Sequence, residues 1–206
     1  MYVPPPHAVD HTQIRSMVEA IGAAELVTTA ADGYPVATLL PILWRGDTVV
    51  AHMARANPHW RELSDDQPAL LVVTGPQAYV SPSWYAAKAE HGRVVPTWNY
   101  TSAHLTGRLT VHDDPEWLLH AVTDLTDRHE GHRAQPWAVD DAPAAFVAGQ
   151  LRGIVGISMR VERVEGKAKL SQNRSTADRA DVVHGLRQEG VPGAAAVARA
   201  MDADAT

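Results

Sequence analysis

The 206-residue sequence has no cysteine, which excludes disulfides and thiolate metal centres. Lysine is scarce: only Lys88, Lys167 and Lys169 occur, and the formal net charge is −6. No helix-forming stretch is rich in Lys or Arg. The basic stripe that dominates nucleic-acid affinity is therefore missing, and direct nucleic-acid binding is disfavoured. No apolar run approaches the roughly 18 residues that cross a bilayer. The opening MYVPPPHAVD has neither a basic n-region nor an apolar core, so it does not read as a signal peptide. The expectation is a soluble cytoplasmic protein with no membrane partner. GxSxG, P-loop and GxGxxG motifs are all absent. HEGH at 129–132 lacks the HExxH spacing of a zinc helix. His104 and His112 share a strand face, but about 27 Å would separate them, so they are no chelating pair.

What is present suits one compact domain, residues 1–206, with 174–206 as a C-terminal helical extension of it; 45% of the residues are hydrophobic. Asp10 can cap a helix to about Gly22, with Ile14, Met17, Val18 and Ile21 on one face. ELVTTAADGYPVATLLPILWRGDTVVAHM reads as three strands, with DG at 32–33 and RGD at 45–47 as turns. Asn57-Pro58 starts a short helix. ALLVVTG is a strand, YVSPSWYAAKAEHG a loop with one helical turn, and VVPTWNYTSAHLTGRLTVH a long strand region. Asp114-Pro115 opens a clear helix ending near Gly131. RAQPWAVDDAP is a loop, AAFVAGQL a short helix, and IVGISMRVERVEGKAKL a strand. The Ala-rich tail from Thr176 is helical. Consecutive short strands with peripheral helices give an α+β, mainly β class: a small antiparallel barrel.

Three segments could carry chemistry. HMARANPHW (52–60) places Arg55 before a helix start at Asn57, whose free N–H groups and positive dipole end would cradle an anion. His59, in the first turn, should be a neutral imidazole there and so able to ligate a metal or haem iron; an exposed histidine beside Trp60 is the bland alternative. SPSWY (81–85) and VPTWNY (95–100) bring two tryptophans and two tyrosines within seventeen residues; they either wall a flat conjugated cofactor or plug the barrel. In GKAKLSQNR (166–174), Lys167 and Lys169 alternate and so share one side of a strand, where they could clamp a phosphate, propionate or carboxylate.

MYVP, HMARANPHW, SPSWY, KAEHGRVVPTWNY, QPWAV and GKAKLSQNR, in this order, resemble the PaiB-type family, usually labelled FMN-binding negative transcriptional regulator. The resemblance covers nearly the whole chain. It implies a split β-barrel like that of pyridoxamine-phosphate-oxidase relatives, in a homodimer holding its cofactor at the subunit interface. The family also contains haem-dependent piperazate synthases, which cyclise N5-hydroxy-L-ornithine to L-piperazic acid. Regulator-type members usually read ANPQW, where this chain has His59. They also read NYAAVHAHG, where this chain has NYTSAHLTG with Thr101, Ser102 and Thr106. Both departures favour the haem branch. The resemblance then implies haem b ligated by His59, Tyr100 or Lys169 as the base that keeps the substrate amine neutral, and Arg55, Lys167 and Lys169 on propionates or the substrate carboxylate. The alternative it implies is FMN, with Arg55 and Asn57 on the phosphate and Trp84, Tyr85, Trp98 and Asn99 around the ring. Trp60, Ser83 and Gln172 complete the expected cofactor-contacting set.

Overall fold

The chain folds, in a computed structural model that describes residues 1–204, as six strands and six α-helices. The strands are β1 (Ala23–Thr29), β2 (Pro35–Arg45), β3 (Thr48–Ala54), β4 (Pro68–Val80), β5 (Thr97–His112) and β6 (Ile154–Lys169). They close into a split barrel in the order β1-β2-β3-β6-β5-β4. The helices are α1 (His11–Ile21), α2 (Ala86–His91), α3 (Pro115–Glu130), α4 (Ala144–Leu151), α5 (Thr176–Gln188) and α6 (Ala194–Ala203). No helix among the described residues is long and apolar enough to cross a membrane. Of the expected 174–206 extension, Ala205 and Thr206 lie outside the described residues.

The chain divides into two compact units. The first comprises Met1–Met17, Thr74–Ala103 and the chain from Glu165 onward; the second comprises Val18–Val73 and His104–Val164. In the second, β1 and β2 pair with Ala23 opposite Pro41 and Thr29 opposite Pro35. The DG turn that joins them has Gly33 at φ 88°, and Gly46 turns β2 into β3 at φ 54°; left-handed backbone of this kind favours glycine at both. β3 runs antiparallel to β6, with His52 opposite Gly156. Alternate residues of β3 (Val49, Ala51, Met53) and of β6 (Val155, Ile157, Met159) are buried, the period-2 signature of a half-buried strand. Asp114 caps α3, accepting from the Trp117 N–H at 2.8 Å, and α3 buries Leu118, Ala121 and Leu125.

In the first unit the core joins Ala78 and Val80 of β4, Tyr85, Leu170, Val182 and Leu186 of α5, and Val197, Ala198 and Met201 of α6. Ser175 caps α5 through the Asp178 N–H. Two local expectations need correction. β4 runs on to Val80, so YV at 79–80 belongs to the strand and not to the following loop. The segment after Asn57 is a five-residue 3-10 helix, Pro58–Glu62, too short for a substantial dipole.

Candidate functional site

The HMARANPHW segment lies in the second unit. Asn57 accepts the His59 N–H at 3.0 Å, which uses an amide expected to face an anion. His59 is only 3% exposed. Its Nε2 lies 2.8 Å from Thr28 Oγ1 on β1, and its Nδ1 lies 2.8 Å from Thr38 Oγ1 on β2. Asn57 Nδ2 donates to the same Thr38 hydroxyl at 3.3 Å. Burial pushes the imidazole below the ordinary histidine range, and the Glu62 carboxylate opposes this weakly. The ring therefore favours its neutral form, but burial is the cause and not the helix dipole. Both ring nitrogens meet threonine hydroxyls, so a metal could ligate the ring only by displacing one of them.

Arg55 is likewise spent within the chain. Its guanidinium pairs with Asp113 and donates to the carbonyls of Arg152 (2.9 Å) and Ile154 (2.9 Å). The Asp113 hydrogen bond raises the Arg55 pKa further and lowers that of Asp113. Trp60 donates its indole N–H to the Arg55 carbonyl at 2.7 Å and lies between the guanidiniums of Arg55 and Arg61, 5.7 and 5.2 Å from its ring centre. Arg55, Asn57 and Trp60 thus build the β3 exit and not an open anion cradle.

A different arrangement appears in the first unit. Lys169 Nζ donates to the Trp98 carbonyl at 2.7 Å and to Thr97 Oγ1. Its pKa is lowered, first by burial and then by the positive charges of Lys167 and Arg174. Lys167 is 9% exposed; its ammonium donates to the Tyr2 carbonyl at 3.1 Å and sits over the rings of Tyr2 (5.7 Å) and Tyr100 (5.3 Å). Arg174 lies 4.5 Å from the centre of the Tyr85 ring. Among the described residues no carboxylate pairs with any of these three cations. Trp98 is 48% exposed and Tyr79 46%; they meet edge to face at 6.4 Å, and the Trp98 indole donates to Gln77 at 3.1 Å. Three uncompensated cations beside an exposed pair of large rings make a surface suited to a planar anion.

Asn99 is fully buried and bonds Ser171 at 2.9 Å; Tyr85 lies in the core with its hydroxyl buried and unpartnered. Trp84 packs flat on Gly185, where a Cβ would come within 2.4 Å of the indole. Ser83 accepts from Lys88 at 3.1 Å. Gln172 is used up by His7, the Leu170 N–H and the Ala168 carbonyl. Of the expected set, Trp98, Tyr100, Lys167 and Lys169 come together, and Tyr2, Tyr79, Thr97 and Arg174 join them. Arg174 and Tyr2 lie inside motifs singled out in the sequence; Tyr79, read there as loop, carries no signal of its own. No cluster of three or more His, Cys, Asp or Glu among the described residues could hold a metal ion.

A family model described as "Putative FMN-binding domain" matches residues 1–163. The chain is 32% identical over 207 residues to "Protease synthase and sporulation protein PAI 2" of Bacillus subtilis, covering 98% of this chain and 97% of that one. It is 33% identical over 160 residues to an uncharacterized Aspergillus fumigatus protein, covering 70% of this chain and 60% of that one. Among solved structures it is similar to the FAD and haem binding protein of Mycobacterium smegmatis (TM-score 0.61, 19% identity, 85% of this chain and 78% of that one). It is also similar to the flavocytochrome Anf3 of Azotobacter vinelandii (TM-score 0.55, 17% identity, 83% and 73%). At those identities the structures share the fold.

Proposed function

The chain belongs to the FMN-binding domain family of PaiB type, and from that premise we propose that it binds FMN on the Lys169–Trp98 surface and serves as a flavin-dependent oxidoreductase. One observation carries the reading: Lys167, Lys169 and Arg174 have no carboxylate partner among the described residues and stand beside the exposed Trp98–Tyr79 pair. Like charges held together cost energy until an anion neutralises them. A cofactor phosphate would accept from the Lys169 ammonium, whose two protein contacts leave one N–H free. The indole of Trp98, steadied by Gln77, offers its face to a conjugated ring. When bound, the flavin supplies one- and two-electron transfer.

A second reading, haem b with His59 as ligand in an N5-hydroxy-ornithine cyclase, is favoured by one feature of the niche. The ring is neutral and oriented by the Asn57–Thr38 relay, the outer-shell support that histidine ligands ordinarily have. In this reading Thr28 Oγ1 would surrender Nε2, and Lys167 and Lys169 would take propionates.

The absorption spectrum of the purified protein separates the two. A two-banded flavin spectrum that Lys169→Ala weakens, with FMN affinity falling roughly tenfold, supports the first reading. Trp98→Ala should lower FMN affinity by a similar factor through lost stacking. A Soret band abolished by His59→Ala supports the second and overturns the first.

A further inference from the structure

We propose that the groove between α3 and α4 binds an apolar organic cation, a hydrophobic amine of small-molecule size. The groove has a volume of about 710 Å³, inside the usual range for ligand cavities. Leu119 of α3 and Val147 and Leu151 of α4 form its apolar walls, with Val139 and a series of alanines. Its lining carboxylates are Asp127 and Asp140, and neither side chain has a hydrogen-bond or ion-pair partner among the described residues. No lysine or arginine lines it. A ligand that is apolar but negative would meet uncompensated repulsion, and one that is apolar and neutral would leave both carboxylates unused. An ammonium on an apolar body matches both features.

Part of the groove's wall, the 131–143 segment, is tied to the end of α3 where the Trp137 N–H donates to Glu130 at 3.2 Å, and is ordered within itself where the Ala138 N–H donates to Asp141 at 2.8 Å. Ala148 and Leu151 also line a second cavity of about 460 Å³, but that one carries Arg55 and Arg152. The two flanks of α4 thus differ in sign, and the cation belongs to the acidic one.

The test uses the full chain as purified and two xanthene dyes of like shape and opposite charge, cationic rhodamine 6G and anionic fluorescein, followed by fluorescence anisotropy. Rhodamine 6G should bind saturably. The exposed double change Asp127→Asn with Asp140→Asn should weaken it roughly five- to tenfold at low salt, and less at high salt. Val147→Trp, which fills the groove, should abolish it while circular dichroism stays native. Lys169→Ala should leave rhodamine binding unchanged, which keeps this site separate from the proposed cofactor surface. Rhodamine binding that is absent, that survives the Asn pair undiminished, or that survives Val147→Trp overturns the proposal.

Discussion

At the scale of single residues, the His59 niche has the clearest energetic consequence. Its imidazole is buried, neutral and bonded at both nitrogens to hydroxyls from strands 31 and 21 residues away in the chain. Thr38→Val removes the partner of both His59 Nδ1 and Asn57 Nδ2 and leaves two polar groups unsatisfied. A loss of about 1–3 kcal/mol is expected in urea unfolding; a change below about 0.5 kcal/mol would contradict the role given to Thr38. The pH dependence has a definite sign. Because burial lowers the folded-state pKa of His59, the unfolded chain takes up a proton first as pH falls below the ordinary histidine value of about 6.5. Stability is therefore fully present above that pH and lost on the acid side. His52 and His112 are shifted the same way by burial and add to the slope. In His59→Gln the acid-side slope should become shallower, by at most one proton's worth, about 1.4 kcal/mol per pH unit; urea titrations between pH 7.5 and 5 that show an unchanged slope would refute this. These partners were not legible in the sequence. Thr28 and Thr38 are ordinary strand residues until the β1–β2 hairpin sets them against His59. Lys167 and Lys169 were legible, because alternation on a strand is local.

At the scale of elements, the strands and most helices follow from short-range signals. DG and RGD fix two turns, Asp114-Pro115 fixes the start of α3, and Pro96 fixes the start of β5. The 3-10 character after Asn57 was not readable, since N-cap and proline signals are common to both helix types. Nor was the packing of α3, which depends on what faces it across the sheet. Gly156 of β6 is the decisive position: a Cβ there would lie 2.1 and 2.7 Å from Trp117 ring carbons and 3.0 Å from Leu118. Trp117 cannot retreat easily, because its ring stacks on His112 at 3.8 Å and 6°, and His112 bonds Ser158 at 2.8 Å. Gly156→Ala should cost roughly 1–3 kcal/mol through overpacking, lowering Tm by about 2–4 °C per kcal/mol in calorimetry. Gly46→Ala, where nothing lies within 4 Å of the added Cβ, gives the contrast: its cost comes from the positive φ alone. If the two variants melt together with the parent chain, the close approach of Trp117 to β6 is not as described.

At the scale of the whole molecule, charge bears on the proposed flavoprotein against a direct DNA-binding repressor. The formal net charge is −6, and three cations without a carboxylate partner among the described residues, Lys167, Lys169 and Arg174, gather in one place. A protein that grips duplex DNA neutralises on the order of six to ten phosphates. Three cations cannot supply that footprint, and in the FMN reading the cofactor phosphate already occupies them. Several of the other basic side chains are spent on carboxylates: Arg45 on Asp124, Arg55 on Asp113, Arg179 on Asp204, Arg187 on Asp202. Electrostatic attraction to DNA is greatest at low ionic strength, so that is where the expectation is most exposed to failure. In a gel-shift at low salt the chain should retain no DNA, with or without added FMN. A discrete retarded band that weakens as salt rises would show a basic surface that the monomer does not display, and the regulator reading would then replace the oxidoreductase.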